Sequence, residues 1–267
     1  MSRRYAVLLP LLLPCTALAQ IASNSAELVS KSSDTHWTLG LGVSISDSPY
    51  AGEGNRTQPF PVVSYSGERL FWSGLYGGVH LLRREGFDLD AIVAGRFDGF
   101  DISDLGRSEL AANGVDARVL DDRDNGLDAG LAATWRGPAG EFKLRALADV
   151  TDTSGGYELA VDYGYAWRWG RTTVVPGVGV RWMSGDLVDY YYGTLDQEIA
   201  RGAPRYQPGS AVVPEVSVGM ARPLSPKWKL FGRIDYKFLP SEITDSPLIE
   251  PDTDGSAGLM IGISRTF

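Results

Sequence analysis

The chain has 267 residues, 33 of them acidic and 25 basic, for a net charge of −8, and it holds a single cysteine. That balance argues against nucleic acid as a partner, and one cysteine rules out an internal disulfide. After the N-terminal segment there is no run of about 18 apolar residues, which removes a membrane-spanning helix but leaves spanning strands open.

Residues 1–19 read as an export signal. Arg3 and Arg4 supply the positive start, residues 6–13 the short apolar core, and Ala17-Leu18-Ala19 the cleavage site. Cys15 would suit a lipoprotein, but Pro14 stands where lipid attachment wants a small residue. Cleavage removes two arginines, no acids and the cysteine, and leaves a periplasmic segment over 20–34.

From residue 35 onward the dominant pattern is alternation. In 157–169, Tyr157, Leu159, Val161, Tyr163, Tyr165, Trp167 and Trp169 alternate with Glu158, Ala160, Asp162, Gly164, Ala166 and Arg168. Successive side chains of a strand point to opposite faces, so this segment has one apolar and one polar face. It is longer than the five or six residues usual in a globular sheet. It suffices for a tilted strand to cross a bilayer, which takes about 9–11 residues.

The same period predicts strands over 35–46, 58–66, 69–73, 75–83, 87–98, 127–136, 140–150, 157–169, 172–184, 211–222, 227–238 and 256–267. A break at Ser73-Gly74 gives the even count; one bent strand there would give an odd one. Glycine, at 32 residues, exceeds the usual share of about 7% and suits a curved, crowded wall. No amphipathic helix of useful length competes.

Connections sort by length. With a periplasmic N-terminus, the periplasmic turns fall at 66–69, 84–86, 137–140 and 170–171, all short, and at 222–226, slightly longer. Most outer connections are long: 47–57, 99–126, 185–210 and 240–255. Short periplasmic turns and long extracellular loops mark outer-membrane barrels. A soluble β-sandwich alternates too, but its loops need not sort in this way. Trp135, Trp167 and Trp169 fall beside periplasmic turns, as an interface girdle requires. The expected fold is an all-β, transmembrane, antiparallel up-and-down barrel of about twelve strands over 35–267. Backbone groups cannot stay unpaired in hydrocarbon, so the first and last strands should pair.

Two loop motifs carry a resemblance. The first is Ser48-Pro49-Tyr50-Ala51-Gly52, followed by Pro59-Phe60-Pro61 and Tyr65. The second is Tyr190-Tyr191-Tyr192-Gly193, followed by Tyr206-Gln207-Pro208-Gly209. With these and a terminal Phe267, the chain over 35–267 resembles the MipA/OmpV family of Gram-negative outer-membrane proteins. The resemblance implies an outer-membrane location, and Phe267 as the signal read by the barrel-assembly machinery. For some members it implies a scaffold joining a peptidoglycan lytic transglycosylase to a synthase; other members are described as adhesins or as envelope-stress proteins. It brings no catalytic set.

The polar face supplies the other candidates. Asp90, Arg96, Arg136, Arg145, Asp162, Arg168, Arg181, Arg233 and Asp235 are expected to face the lumen. They could line a solute channel or pair and fill the interior. Twelve strands lie between the filled eight and the water-filled sixteen, and the mixture of signs favours pairing. The acidic stretch 121–126 does not keep the register of a calcium loop and reads as solvated surface. His36 and His80 read as polar wall residues, with no nucleophile tied to either. Tyr190, Tyr191 and Tyr192 could form a binding platform or an interface girdle. No catalytic, cofactor-binding or metal-ligating set is read. The expected roles are therefore a non-enzymatic envelope scaffold, touched through its short turns and 20–34; a small-solute channel; or an adhesin acting through loops 99–126 and 185–210. Outer-membrane lipid is the expected surroundings.

Overall fold

The structure, a computed structural model, describes residues 36–267; the export signal and the segment 20–34 lie outside the described residues. Twelve strands make a single sheet. They are β1 (His36–Asp47), β2 (Asn55–Ser66), β3 (Leu70–Ser73), β4 (Tyr76–Arg84), β5 (Phe87–Arg96) and β6 (Gly126–Gly137). There follow β7 (Gly140–Asp149), β8 (Tyr157–Gly164, then Trp167–Trp169), β9 (Thr172–Met183), β10 (Ala211–Pro223), β11 (Trp228–Phe238) and β12 (Gly255–Thr266). Every pairing is antiparallel, and β12 returns to β1 from Thr38↔Thr266 to Ser46↔Gly258, which closes the barrel. That seam needs a glycine: a Cβ on Gly40 would lie 2.2 Å from the Ile263 carbonyl oxygen and 2.8 Å from Ser264 Cα. Among the described residues no helix is long and apolar enough to cross a membrane.

The expected strand 157–169 is interrupted at Tyr165-Ala166. Both halves pair with β9 in one register, so the interruption is not a slip. Tyr165 lies opposite Pro176 and donates its N–H to the Pro176 carbonyl at 3.1 Å. Proline has no N–H to return, so the ladder loses one rung there. In β4 a bulge between His80 and Leu82 shifts the register, and Leu81 and Leu82 are both exposed.

The apolar face points outward. Leu41, Val178 and Ile234 are each more than half exposed on the bare chain, as are Trp167 and Trp169 near the periplasmic end. Bilayer hydrocarbon covers this belt, and each such side chain gains roughly 1.5–3 kcal/mol by leaving water. The inward face holds Thr38, Ala132, Thr134, Arg145, Arg181 and Met260, all buried.

The long connections fold rather than trail. They hold four short helices: α1 (Arg107–Ala112), α2 (Gly185–Tyr192), α3 (Asp196–Ala200) and α4 (Ser241–Thr244). Apolar side chains of α1, α2, α4 and the surrounding loops join one buried cluster over the outer mouth, with Tyr50, Leu110, Leu187, Val188, Tyr191 and Ile249 at its centre. No periodic pattern marks this cap in the sequence, because each helix has at most eight residues.

Candidate functional site

The interior charges are largely paired. Arg96 Nη2 bonds Asp128 Oδ2 at 2.6 Å and Glu158 Oε2 at 3.2 Å, while its Nη1 bonds Asp98 at 2.9 Å. Arg181 Nε lies 3.6 Å from Glu158, and Arg145 Nη2 bonds Asp162 at 2.9 Å. Arg233 bonds Glu215 at 2.6 Å and lies 3.6 Å from Asp235. His80 Nδ1 and Asp90 Oδ1 are 2.6 Å apart. Opposite charges thus pair with one another along the inner wall. Isolated ions would be costly to bury there, and mutual pairing offsets that cost.

Two of the expected lumen charges sit elsewhere. Arg136 lies at the periplasmic rim, where it bonds Glu141 and Asp88. Arg168 is exposed beside the periplasmic turn, beyond the interruption of β8. Alternation alone cannot tell mid-wall from rim. Glu158 is 2% exposed and sits between Arg96 and Arg181, so it is as central to the interior as any of the candidates.

The loop motifs build the cap. Tyr50 is buried, and its hydroxyl is shared between the carbonyls of Asp98 at 3.1 Å and Tyr191 at 3.2 Å. Tyr50 also bridges Ile249 and lies against the rings of Phe100 and Tyr192. Ser48 donates to Glu53, Gly52 accepts no Cβ without meeting Gly106, and Pro49 offers its carbonyl to Glu250 N–H at 2.8 Å. Burial drives the Tyr50, Tyr191 and Tyr192 phenols well above their ordinary value, with Asp98 adding to it. Tyr191 is 1% exposed and belongs to the cap core, and Tyr190 and Tyr192 are partly buried against it. Tyr206 donates its hydroxyl to the Ser241 and Glu242 carbonyls, and Gly209, after Pro208, donates its N–H to Asp189. Pro59 and Pro61 stand apart from this cluster, on β2.

The acidic stretch 121–126 is not simply solvated surface. Arg123 is fully buried as a side chain and pairs with Glu198, also fully buried, at 2.7 and 2.8 Å. Arg123 further donates to the carbonyls of Tyr190, Asp121 and Gly193. Glu198 accepts from the N–H groups of Asp121 and Leu195. This pair locks loop 97–125 to loop 184–210. Its charges read as solvent-facing in sequence because nothing local marks their burial.

The opposite end has another character. Arg69, Arg83, Arg84, Arg136, Arg168, Arg171, Arg222 and Lys227 are all exposed in or beside the periplasmic turns, against Glu68, Glu85, Asp88 and Glu141. A chain of net charge −8 therefore carries a basic collar at its periplasmic end. Phe267 is exposed at the same end, where its N–H bonds the Trp37 carbonyl at 2.9 Å. No group of three or more metal-ligating side chains occurs among the described residues.

Comparison with known proteins agrees with this architecture. The family model described as MltA-interacting protein MipA matches residues 39–267. The MltA-interacting protein of Escherichia coli K12 is 29% identical over 86% of this chain and 90% of its own length. The putative outer membrane protein YiaT of the same organism is 30% identical with the same coverage. The outer membrane protein OmpV of Vibrio cholerae is 26% identical over 66% of this chain and 73% of its own. Twelve closed strands, a lipid-facing apolar belt and a match over nearly all the described residues place the chain in the outer membrane, as a member of the MltA-interacting protein (MipA) family.

Proposed function

We propose that the protein is a non-enzymatic scaffold of the cell envelope, holding peptidoglycan-remodelling enzymes at the inner surface of the outer membrane. The observation that carries this reading is the basic periplasmic collar on an otherwise acidic chain. Collected cations on one rim provide an electrostatic surface for an acidic partner, and such surfaces set encounter rate and orientation. The printed name of the 29% identical relative, MltA-interacting protein, supports a lytic transglycosylase as one partner. A synthase as the second partner rests on the family resemblance alone. The folded cap and the paired interior argue against a free solute channel as the main role.

Photo-crosslinkers at Glu85, Pro138 and Arg171 in intact envelopes test the proposal. A peptidoglycan hydrolase or synthase should be captured. Joint charge reversal of Arg84, Arg171 and Arg222 should reduce capture at least about tenfold, as loss of a steering field does. An assembled barrel that captures neither enzyme from any of the three turns overturns the scaffold reading. Single-channel conductance from the intact protein in a planar bilayer would favour the channel.

A further inference from the structure

The barrel wall is incomplete on one side. β2 runs twelve residues, but β3 has four, and their pairing spans only Ser64↔Ser73 to Ser66↔Phe71. The chain then turns at Gly74-Leu75 and descends as β4, whose top residue Tyr76 pairs with Ala94. The hairpin tip is tied down on both sides: Gly74 donates its N–H to the Val63 carbonyl at 3.0 Å, and Gly95 to the Leu75 carbonyl at 2.9 Å. Above that tip, residues 55–62 of β2 have a strand partner only on the β1 side. At about 3.4 Å per residue this leaves roughly 27 Å of strand edge without a second strand beside it. At the level of the tip the opposite rim is β5, three strand spacings or roughly 14 Å away, and above Arg96 it is loop 97–125.

The sequence is adapted to this gap. The Val63 carbonyl points toward β3, so residues of the same parity point their backbone groups into the gap. Pro59 and Pro61 have that parity. They present no N–H there, which removes two donors that hydrocarbon would leave unsatisfied. The surroundings match. Inside the gap, Phe60 and Val62 pack with Phe231 and Met260, an apolar patch in an otherwise charged lumen. Outside, Val63 and Leu75 are exposed to lipid. Higher up, a cavity of about 260 Å³ lies between Arg56, Thr57 and Gln58 of β2 and loop 97–125, with Glu53, Asp101 and Asp104 in its lining; Thr57 faces outward, and Arg56 and Gln58 face inward. The cavity thus meets both faces of β2 at the top of the gap, where loop 97–125 closes its other side.

We propose that this breach is a lateral binding site for an outer-leaflet lipid. One acyl chain crosses the sill at Val63 and Leu75 to lie on Phe60 and Val62, and its polar end rises toward Gln58 and the polar cavity above, where Glu53 already holds Arg56. The order of apolar below and polar above is the order of a lipid in the outer leaflet. The inference stands apart from the scaffold reading, since it concerns the opposite half of the barrel.

The test uses the full protein in phosphatidylcholine vesicles whose acyl chains carry an alkyne tag. The photoreactive residue p-benzoylphenylalanine replaces Phe60, Val62, Ser64, Ser217 or Val216 in turn, and heat-modifiable migration confirms assembly of each variant. Val216 faces lipid, whereas Ser217 faces the lumen behind intact wall. Ser64 lies below the sill on the same strand as Phe60. Phe60 and Val62 should label acyl chain within about threefold of Val216, and Ser64 and Ser217 at least about tenfold less, because a closed wall excludes hydrocarbon. Labelling at Phe60 and Val62 no higher than at Ser217 overturns the site. If only one of the two variants assembles, that one decides. If neither does, native mass spectrometry of the unsubstituted protein decides, with no retained acyl lipid counting against the site.

Discussion

Replacing Glu198 by glutamine is expected to loosen the cap while the barrel stays closed. The Arg123–Glu198 pair is fully buried and joins two loops. Removing one charge of such a pair strands the other and costs about 3–5 kcal/mol. Glutamine keeps the shape and one acceptor oxygen, so the lower end, about 3 kcal/mol, is the expected value. At about 1.4 kcal/mol per tenfold, the open population of the cap rises by roughly a hundredfold. Proteolysis reads that population when the loops open and close faster than they are cut. Cleavage of loops 97–125 and 184–210 in outer-membrane vesicles should therefore quicken by about that factor, with heat-modifiable migration unchanged. The partner change Arg123→Met removes the other charge, but also the donors to Tyr190, Asp121 and Gly193. The double variant should cost at least about 1 kcal/mol less than the two single costs together, the sign of direct coupling. Strict additivity, or cleavage at the wild-type rate in Glu198→Gln, refutes the pair as the lock of the cap.

The remaining predictions concern pH, closure and the interior. Tyr50, Tyr191 and Tyr192 have raised phenol pKa values in the cap, so their contribution is complete below the ordinary tyrosine value of about 10 and is lost as pH rises beyond it. Cap proteolysis should accelerate above about pH 10, less steeply in Tyr50→Phe; an unchanged profile in that variant rules Tyr50 out as a contributor. Gly40→Leu should prevent β1 from meeting β12, seen as loss of the compact heat-modifiable band, whereas Gly137→Ala, with open space at its Cβ, should leave that band intact. Glu158→Gln leaves Arg96 and Arg181 short of a shared carboxylate and should lower the thermal midpoint of the barrel more than Arg168→Gln, which touches only the exposed rim.

The barrel was legible because each part of it has a period. Leu39, Leu41, Val43 and Ile45 alternate on β1, and Gly170-Arg171 can only be a tight turn between Trp169 and Thr172. Lipid imposes that regularity, since every strand must hide its backbone and show an apolar face. The cap was not legible. Its helices are short, and its core comes from scattered residues such as Tyr50, Leu110, Leu187 and Ile249, which meet only in three dimensions. Arg123 and Glu198 lie 75 residues apart, and each sits among solvated charges in sequence. The tyrosine run looked like a surface because aromatic residues at the end of a strand suit a membrane interface equally well.

The breach falls between these cases, and it was written in the sequence without being read there. Among the outer connections, 73–75 alone is as short as a periplasmic turn, and it follows a strand of only four residues. A four-residue strand cannot span an apolar layer that takes about 9–11. Its hairpin must therefore either lie outside the wall or leave the wall half-height. Pro59 and Pro61 decide between the two. A neighbour hydrogen-bonded along the upper part of β2 would need the two N–H groups that proline lacks, so the sequence forbids a complete ladder at that place. The gap is thus specified twice, by the length of the hairpin and by the chemistry of the edge it leaves bare. Restoring donors with Pro59→Thr and Pro61→Thr while leaving the hairpin short separates the two specifications. Unpaired N–H groups in hydrocarbon cost about 1–3 kcal/mol each, so the double variant should unfold at measurably lower denaturant than wild type in vesicles. Equal midpoints would mean that the edge is covered, and that the wall at β2 is whole.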